Sequence, residues 1–136
     1  MENKIIIKYF DEIETALISN IIIENYDIIR KNISDFDGKI RIRALLKNKD
    51  LLDLFEYIVG NSNELITKKY HFHWQNKNAE LIMRWDNAPH HKGLKNFPHH
   101  IHYNDRIEAF YNEEILNILN IIKEIEKIYY HRMMLF

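Results

Sequence analysis

Between residues 4 and 18, Ile6, Tyr9, Phe10, Ile13 and Leu17 recur at steps of three and four, which gathers them on one face of a helix. An amphipathic helix is expected to open the chain. From Ile21 to Ile33 β-branched and aromatic residues are broken by polar ones, and Ser34-Asp35-Phe36-Asp37-Gly38 carries turn chemistry, with a glycine able to take positive φ. This reads as a strand and a turn. Lys39 to Lys47 alternates, with Ile40, Ile42 and Ala44 on one side and Lys39, Arg41 and Arg43 on the other, as a half-buried strand does. The arginines read first as a solvated outer face and second as phosphate ligands. After Asn48-Lys49-Asp50, Leu52, Leu54 and Glu56 alternate with Leu51, Asp53, Phe55 and Tyr57. A helix stays open here, but the short connections favour another strand of a meander.

Gly60-Asn61-Ser62-Asn63 marks the next turn, and Leu65–Gln75 and Glu80–Asp86 read as a hairpin. A two-residue loop at Lys77-Asn78 puts Tyr70, Phe72 and Trp74 on one face with Leu81, Met83 and Trp85. The other face then carries His71, His73 and Gln75 with Ile82, Arg84 and Asp86; a three-residue loop would shift this by one. Residues 87 to 103 hold both prolines and no apolar periodicity, so a long loop is expected, with His100 to Tyr103 returning briefly as strand. Asn112 looks like the N-cap of a closing helix over about residues 112–132, with Glu113 and Glu114 in its first turn and Ile115, Ile118, Leu119, Ile122, Ile125 and Tyr129 as its stripe. The apolar end Met133-Met134-Leu135-Phe136 is expected to pack on the domain. The expected fold class is α+β, an antiparallel β-meander sheet packed with an N-terminal and a C-terminal helix in one domain over 1–136.

Length and composition agree with this: 136 residues, 46% of them hydrophobic, bury a core without staples. With no cysteine, disulfides, thiolate ligands and cysteine nucleophiles drop out, and a reducing cytoplasm fits. A formal charge of -1 gives the whole molecule no pull on nucleic acid, so any such contact is a local patch. No apolar run is long enough to span a bilayer, and a soluble protein without membrane attachment is expected.

The histidines change the picture. Seven of eight lie between His71 and His102, mixed with Arg84, Asp86, Trp74, Trp85, Pro89 and Pro98. The pairs His90-His91 and His99-His100, each beside a proline, are expected to converge from the two ends of the loop around one pocket. Any single histidine is more often solvated or hydrogen-bonded than functional. As a cluster they admit two chemistries. One is a divalent metal site drawn from His71, His73, Asp86 and the loop histidines, although no recognised zinc spacing is present.

The other is metal-free RNA cleavage without a cofactor, which needs a base, an acid and a cation over the phosphate. For that reading the catalytic candidates are His73, Arg84, Asp86, His90, His91, His99, His100 and His102. Asp86 orients an imidazole, or holds Arg84 or a turn amide. Lys92 supplies a second cation, and Trp74, Gln75, Trp85, Asn87 and Phe97 are candidate substrate contacts. Trp74 and Trp85 compete with a core role, and Asn87 with turn shaping.

The blocks Tyr70 with His73-Trp74-Gln75, Arg84 to His91, and Phe97-Pro98-His99-His100 with His102 together resemble the TumE family of toxins from toxin–antitoxin systems. Asp35-Phe36-Asp37-Gly38 and the alternating strand after it extend the likeness weakly over about residues 5–103, with the closing helix outside it. The resemblance implies growth inhibition relieved by a cognate antitoxin, commonly a small helix-turn-helix protein, and an RNase activity on an RNA substrate. It carries no catalytic assignment, and a homodimer stays open. This chain departs from the family pattern at His71, where a variable residue is expected, and at Ala79, where a turn glycine is expected. The alternatives to the ribonuclease are a metal-dependent hydrolase and a non-catalytic binding or regulatory module.

Overall fold

In the computed structural model, the Asn3 side chain accepts a hydrogen bond from the Ile5 amide at 3.0 Å and so caps α1 (Lys4–Ser19). The structure describes residues 3–61, 63–89, 98–103, 105–109 and 117–135. The helix buries Ile6, Tyr9, Phe10, Ile13 and Leu17, the face its spacing predicts. Among the described residues seven strands follow: β1 (Ile23–Ile33), β2 (Asp37–Leu46), β3 (Leu51–Gly60), β4 (Leu65–Gln75), β5 (Leu81–Asp86), β6 (His100–Tyr103) and β7 (Arg106–Ala109), then α2 (Ile118–Met133). They form one antiparallel sheet in chain order. The α+β class is as expected, and β3 is a strand, which closes the helical alternative. No described helix is long and apolar enough to cross a membrane.

The two faces of the sheet differ. Ile40, Ile42, Ala44, Leu52, Leu54, Ile58, Tyr70, Phe72, Trp74 and Trp85 lie buried on one of them in a single cluster with both helices. Glu56, fully buried on the same face, accepts from the Tyr9 hydroxyl (2.6 Å), the Thr67 hydroxyl (2.6 Å) and the Ile118 amide (3.0 Å), and so ties α1, β3, β4 and the start of α2 together. Burial pushes its carboxyl above the ordinary value. The opposite face carries no helix in its described part.

Four expectations change. Gly38 takes no positive φ; a Cβ there would stand 2.8 Å from Ile6 Cγ2, so the glycine is needed for α1 to lie on β2. The hairpin turn spans Asn76 to Glu80: the Asn76 amide donates to the Glu80 carbonyl, while the Asn76 carboxamide oxygen accepts from the Asn78 and Glu80 amides. Trp74 therefore faces Met83, where a two-residue loop would set it opposite Leu81. A shift of two keeps every residue of the inner pairing on its expected face, but a bulge at Trp74/Gln75 turns Ile82 inward and leaves Leu81 exposed. The closing helix starts at Ile118 with Asn117 as N-cap, its side chain accepting from the Asn120 amide; Asn112 lies outside the described residues. Met134 and Leu135 are 84% and 69% exposed, so this part of the tail does not dock. The strand β7 was not anticipated.

Candidate functional site

Alternation along β4, β5 and β6 sends every second side chain to the face away from the helices, and the register aligns them in two rows. One row runs His71, Asp86, His100 and the other His73, Arg84, His102. Two imidazoles thus flank one guanidinium on neighbouring strands.

Asp86 lies at the centre and is 5% exposed. Its Oδ1 accepts from His100 Nε2 at 2.8 Å and from the Ala88 amide at 3.0 Å; its Oδ2 accepts from Arg84 Nε at 3.0 Å and lies 3.7 Å from His102 Nε2. All three partners foreseen for this carboxylate, an imidazole, Arg84 and a turn amide, are present together. His100 Nδ1 is 2.8 Å from the Pro98 carbonyl, so the buried ring is fixed at both nitrogens. His102 meets it edge-on at 4.9 Å between ring centres.

Arg84 NH1 is 3.4 Å from His73 Nδ1, and His73 Nε2 is 3.1 Å from Gln75 Oε1. A guanidinium only donates, so in this arrangement His73 Nδ1 accepts from Arg84 and Nε2–H donates to the glutamine. Exposure sorts these groups. Side chains of Asp86 and His100 are 7% and 2% exposed, against 34% for Arg84 and 28% for His102. Arg84, His102 and half-buried His73 can meet a ligand, while Asp86, itself held by His100, lies against Arg84 and His102. A cavity of about 220 Å³ borders His73, lined also by Arg43, Leu51, Leu52, Asp53 and Gln75.

The other candidates separate. His99 leaves the cluster: its Nδ1 pairs with the Tyr70 hydroxyl at 3.1 Å and its ring stacks on that phenol, whose pKa is raised by burial and then by the Asp86 charge. Trp74 and Trp85 are 0% and 1% exposed in the core, and Trp74 Nε1 donates to buried Asp50 at 2.9 Å, so neither indole is open to a base. Asn87 accepts from the Tyr70 amide and donates to the Lys68 carbonyl, pinning the end of β5 to β4. His90, His91, Lys92 and Phe97 lie outside the described residues, so the convergence expected of the two histidine pairs is seen only through His100 and His102.

On this face the sequence reading passed over Asp53 and Phe55, which pair with Arg41 and His71. Arg41 forms a two-bonded ion pair with Asp53, at 3.0 and 2.7 Å, and His71 stacks on Phe55 with ring centres 5.0 Å apart. Burial, and then the Arg84 charge, hold His71 below the usual imidazole pKa, and its Nδ1 is buried without a hydrogen-bond partner. The signal for Asp53 and Phe55 was the alternation of β3, which set them opposite Leu52, Leu54 and Glu56.

Asp86, His100 and His102 also offer three metal-ligand atoms within 4.8 Å of one another. No curated protein and no solved structure matches the chain. A family model described as Toxin TumE matches residues 12–129, a span that takes in the second half of α1, the whole sheet and most of α2. With the match covering far more than half of its length, the chain belongs to the TumE toxin family, and its role is that of a toxin with a cognate antitoxin as partner.

Proposed function

We propose that this toxin is a metal-independent endoribonuclease whose reacting groups are His73, Arg84 and His102. The observation that supports this best is the row itself, two partly open imidazoles on either side of a guanidinium. RNA cleavage by its own 2′-hydroxyl needs those three groups in that order. His73, whose Nδ1 lone pair faces Arg84, takes the 2′-hydroxyl proton; the 2′-oxygen attacks phosphorus and the P–O5′ bond breaks. His102, beside the Asp86 carboxylate, gives a proton to the leaving 5′-oxygen. The products are a 2′,3′-cyclic phosphate and a 5′-hydroxyl. Arg84 holds the equatorial phosphate oxygens, and Asp86, fixed by His100, aims its guanidinium. His90, His91 and Lys92 remain candidates for the same site from the loop, and His99 belongs to the hydrogen bond with Tyr70. The proposed antitoxin is a small helix-turn-helix protein and the proposed place of action the cytoplasm.

His102→Ala is expected to lower the cleavage rate about a hundredfold or more while the protein stays folded, since a positioned acid or base contributes roughly that much. The check is single-turnover cleavage of RNA with identification of the cyclic phosphate end. Unchanged cleavage by His102→Ala, or cleavage of RNA whose 2′-hydroxyls are methylated, would contradict the assignment.

A second reading rests on the Asp86, His100 and His102 ligand set, which suits a divalent cation activating water for phosphodiester hydrolysis. Arg84 Nε, 3.0 Å from the same carboxylate, opposes it by placing a fixed positive charge beside any bound ion. Loss of cleavage in EDTA, restored by zinc or manganese, would favour the metal.

A further inference from the structure

The row that contains Asp86 does not stop at β4. Across the open face it runs Arg30, Arg41, Phe55, His71, Asp86, His100 from β1 to β6. Beside it lies a groove of about 370 Å³, lined by Ile29, Arg30, Arg41, Phe55, Lys69 and His71. Phe55 and His71 stand parallel across β3 and β4, with ring planes 16° apart. Both are half-buried, so the stack is built into the sheet and still reaches the groove. One strand spacing is roughly 4.8 Å, which sets the His71 Cα about one step from that of Asp86 and two from that of His100.

The acids near this stack, Asp53 and Asp86, are taken up by Arg41 and by Arg84 and His100. Asp53 answers Arg41 at 2.7 Å and approaches Arg43 at 3.6 Å, whereas Arg30 and Lys69 carry no ion pair among the described residues. Lys39 lies over the Tyr57 ring at 5.3 Å in the next row, which alternates cation and aromatic in the same way. A flat aromatic stack flanked by Arg30, Arg41 and Lys69 suits one occupant, an unpaired base with its phosphates on either side, because every base offers a π face and the backbone offers the charge. A paired base is already covered on both faces by its neighbours.

We propose that the Phe55–His71 stack, with Arg30 and Lys69, is a base-stacking subsite for single-stranded RNA that feeds the strand toward Arg84 and His102. The inference rests on the ribonuclease reading for its direction of travel, but binding is testable apart from cleavage. It also answers the loss of Trp74 and Trp85 as stacking groups: the platform is an aromatic on the open face of β3.

The probe is a fluorescent, fully 2′-O-methylated single-stranded oligonucleotide of mixed sequence, which cannot be cleaved through its 2′-oxygen, read by anisotropy. Phe55→Leu keeps apolar bulk and removes the ring, so its melting temperature should stay near that of the wild type. It is expected to weaken binding about tenfold, the scale of one lost stacking contact, whereas Phe55→Tyr keeps it. Lys69→Ala should also weaken binding and flatten its salt dependence, since one fewer counterion is released. Binding by Phe55→Leu within about twofold of the wild type overturns the subsite, as does equal affinity for a blunt RNA duplex or no binding by the wild type. If Phe55-dependent binding stands but natural RNA is not cleaved, the ribonuclease reading falls and the subsite survives. If RNA is cleaved with Phe55 irrelevant to binding, the subsite falls alone.

Discussion

Ala79 takes φ 63°, the left-handed backbone where a side chain costs an L-residue about 1–2 kcal/mol. Glycine removes that cost and gives back about 0.4–1 kcal/mol through the greater freedom of its unfolded chain. Ala79→Gly is therefore expected to stabilise the protein by roughly 0.5–1 kcal/mol, measured as a rise in the urea midpoint with an unchanged slope. A fall in the midpoint would show that the turn does not hold this backbone in solution. The absent glycine was legible as a departure from the family pattern, and the positive φ of Ala79 gives its physical reason. The length of the turn was not, since the Asn76 carboxamide chooses it by bonding two amides across the loop. Asp86 was legible as an organiser because a lone carboxylate amid histidines and an arginine has few other uses. Which histidines it collects was not, because His99 and His100 are adjacent in sequence yet take different partners, Tyr70 for His99 just before β6 and Asp86 for His100 at its start. Only the register of that strand separates them.

Elements with a clear period were the readable ones. The stripes of α1 and the alternation of β2, β3 and β4 follow from burying one face, whereas β7 is four residues, Arg106 to Ala109, with too little alternation to mark it. The start of α2 was misplaced for another reason. Asparagine stands at both 112 and 117, and at Asn117 a carboxylate 62 residues away accepts the Ile118 amide, a contact no local pattern announces. That carboxylate gives the element scale its own prediction. Glu56 in the folded protein holds its proton above the ordinary value of 4.5, because burial outweighs the three hydrogen bonds it accepts. The unfolded chain releases its proton at the ordinary value, so between the two pKa values the folded state binds more protons and stability falls as pH rises. Glu56→Gln cannot ionise, and its amide can still donate to Thr67 while its oxygen accepts from Tyr9 and Ile118. Thermal melts from pH 4 upward should show the variant gaining on the wild type as pH passes about 4.5 and then levelling off. A gap that narrows with rising pH would mean that the carboxylate is the form the fold prefers.

At the scale of the molecule, the sheet divides its work by face. One side is a dry core closed by two helices, and the other holds His73, Arg84, His102 and the Phe55–His71 stack on side chains that the core does not need. Adjacent residues therefore have unrelated surroundings: Trp85 is core and its neighbours Arg84 and Asp86 face the open side. It follows that stability and activity should separate by face. Ile13, fully buried in α1, belongs to the core cluster on the helix side of the sheet. Ile13→Val removes one methylene and is expected to cost about 1 kcal/mol, a fall of roughly 4 °C in the melting point for a domain of this size. RNA cleavage by that variant, assayed well below its melting point, should equal that of the wild type, because the strands carrying the open face keep their register. His102→Ala should show the converse, a melting point near the wild type with cleavage lost. Melting curves and single-turnover rates on the same preparations decide the matter. A core variant that loses cleavage while still folded would mean that the helices tune the reacting row through the sheet.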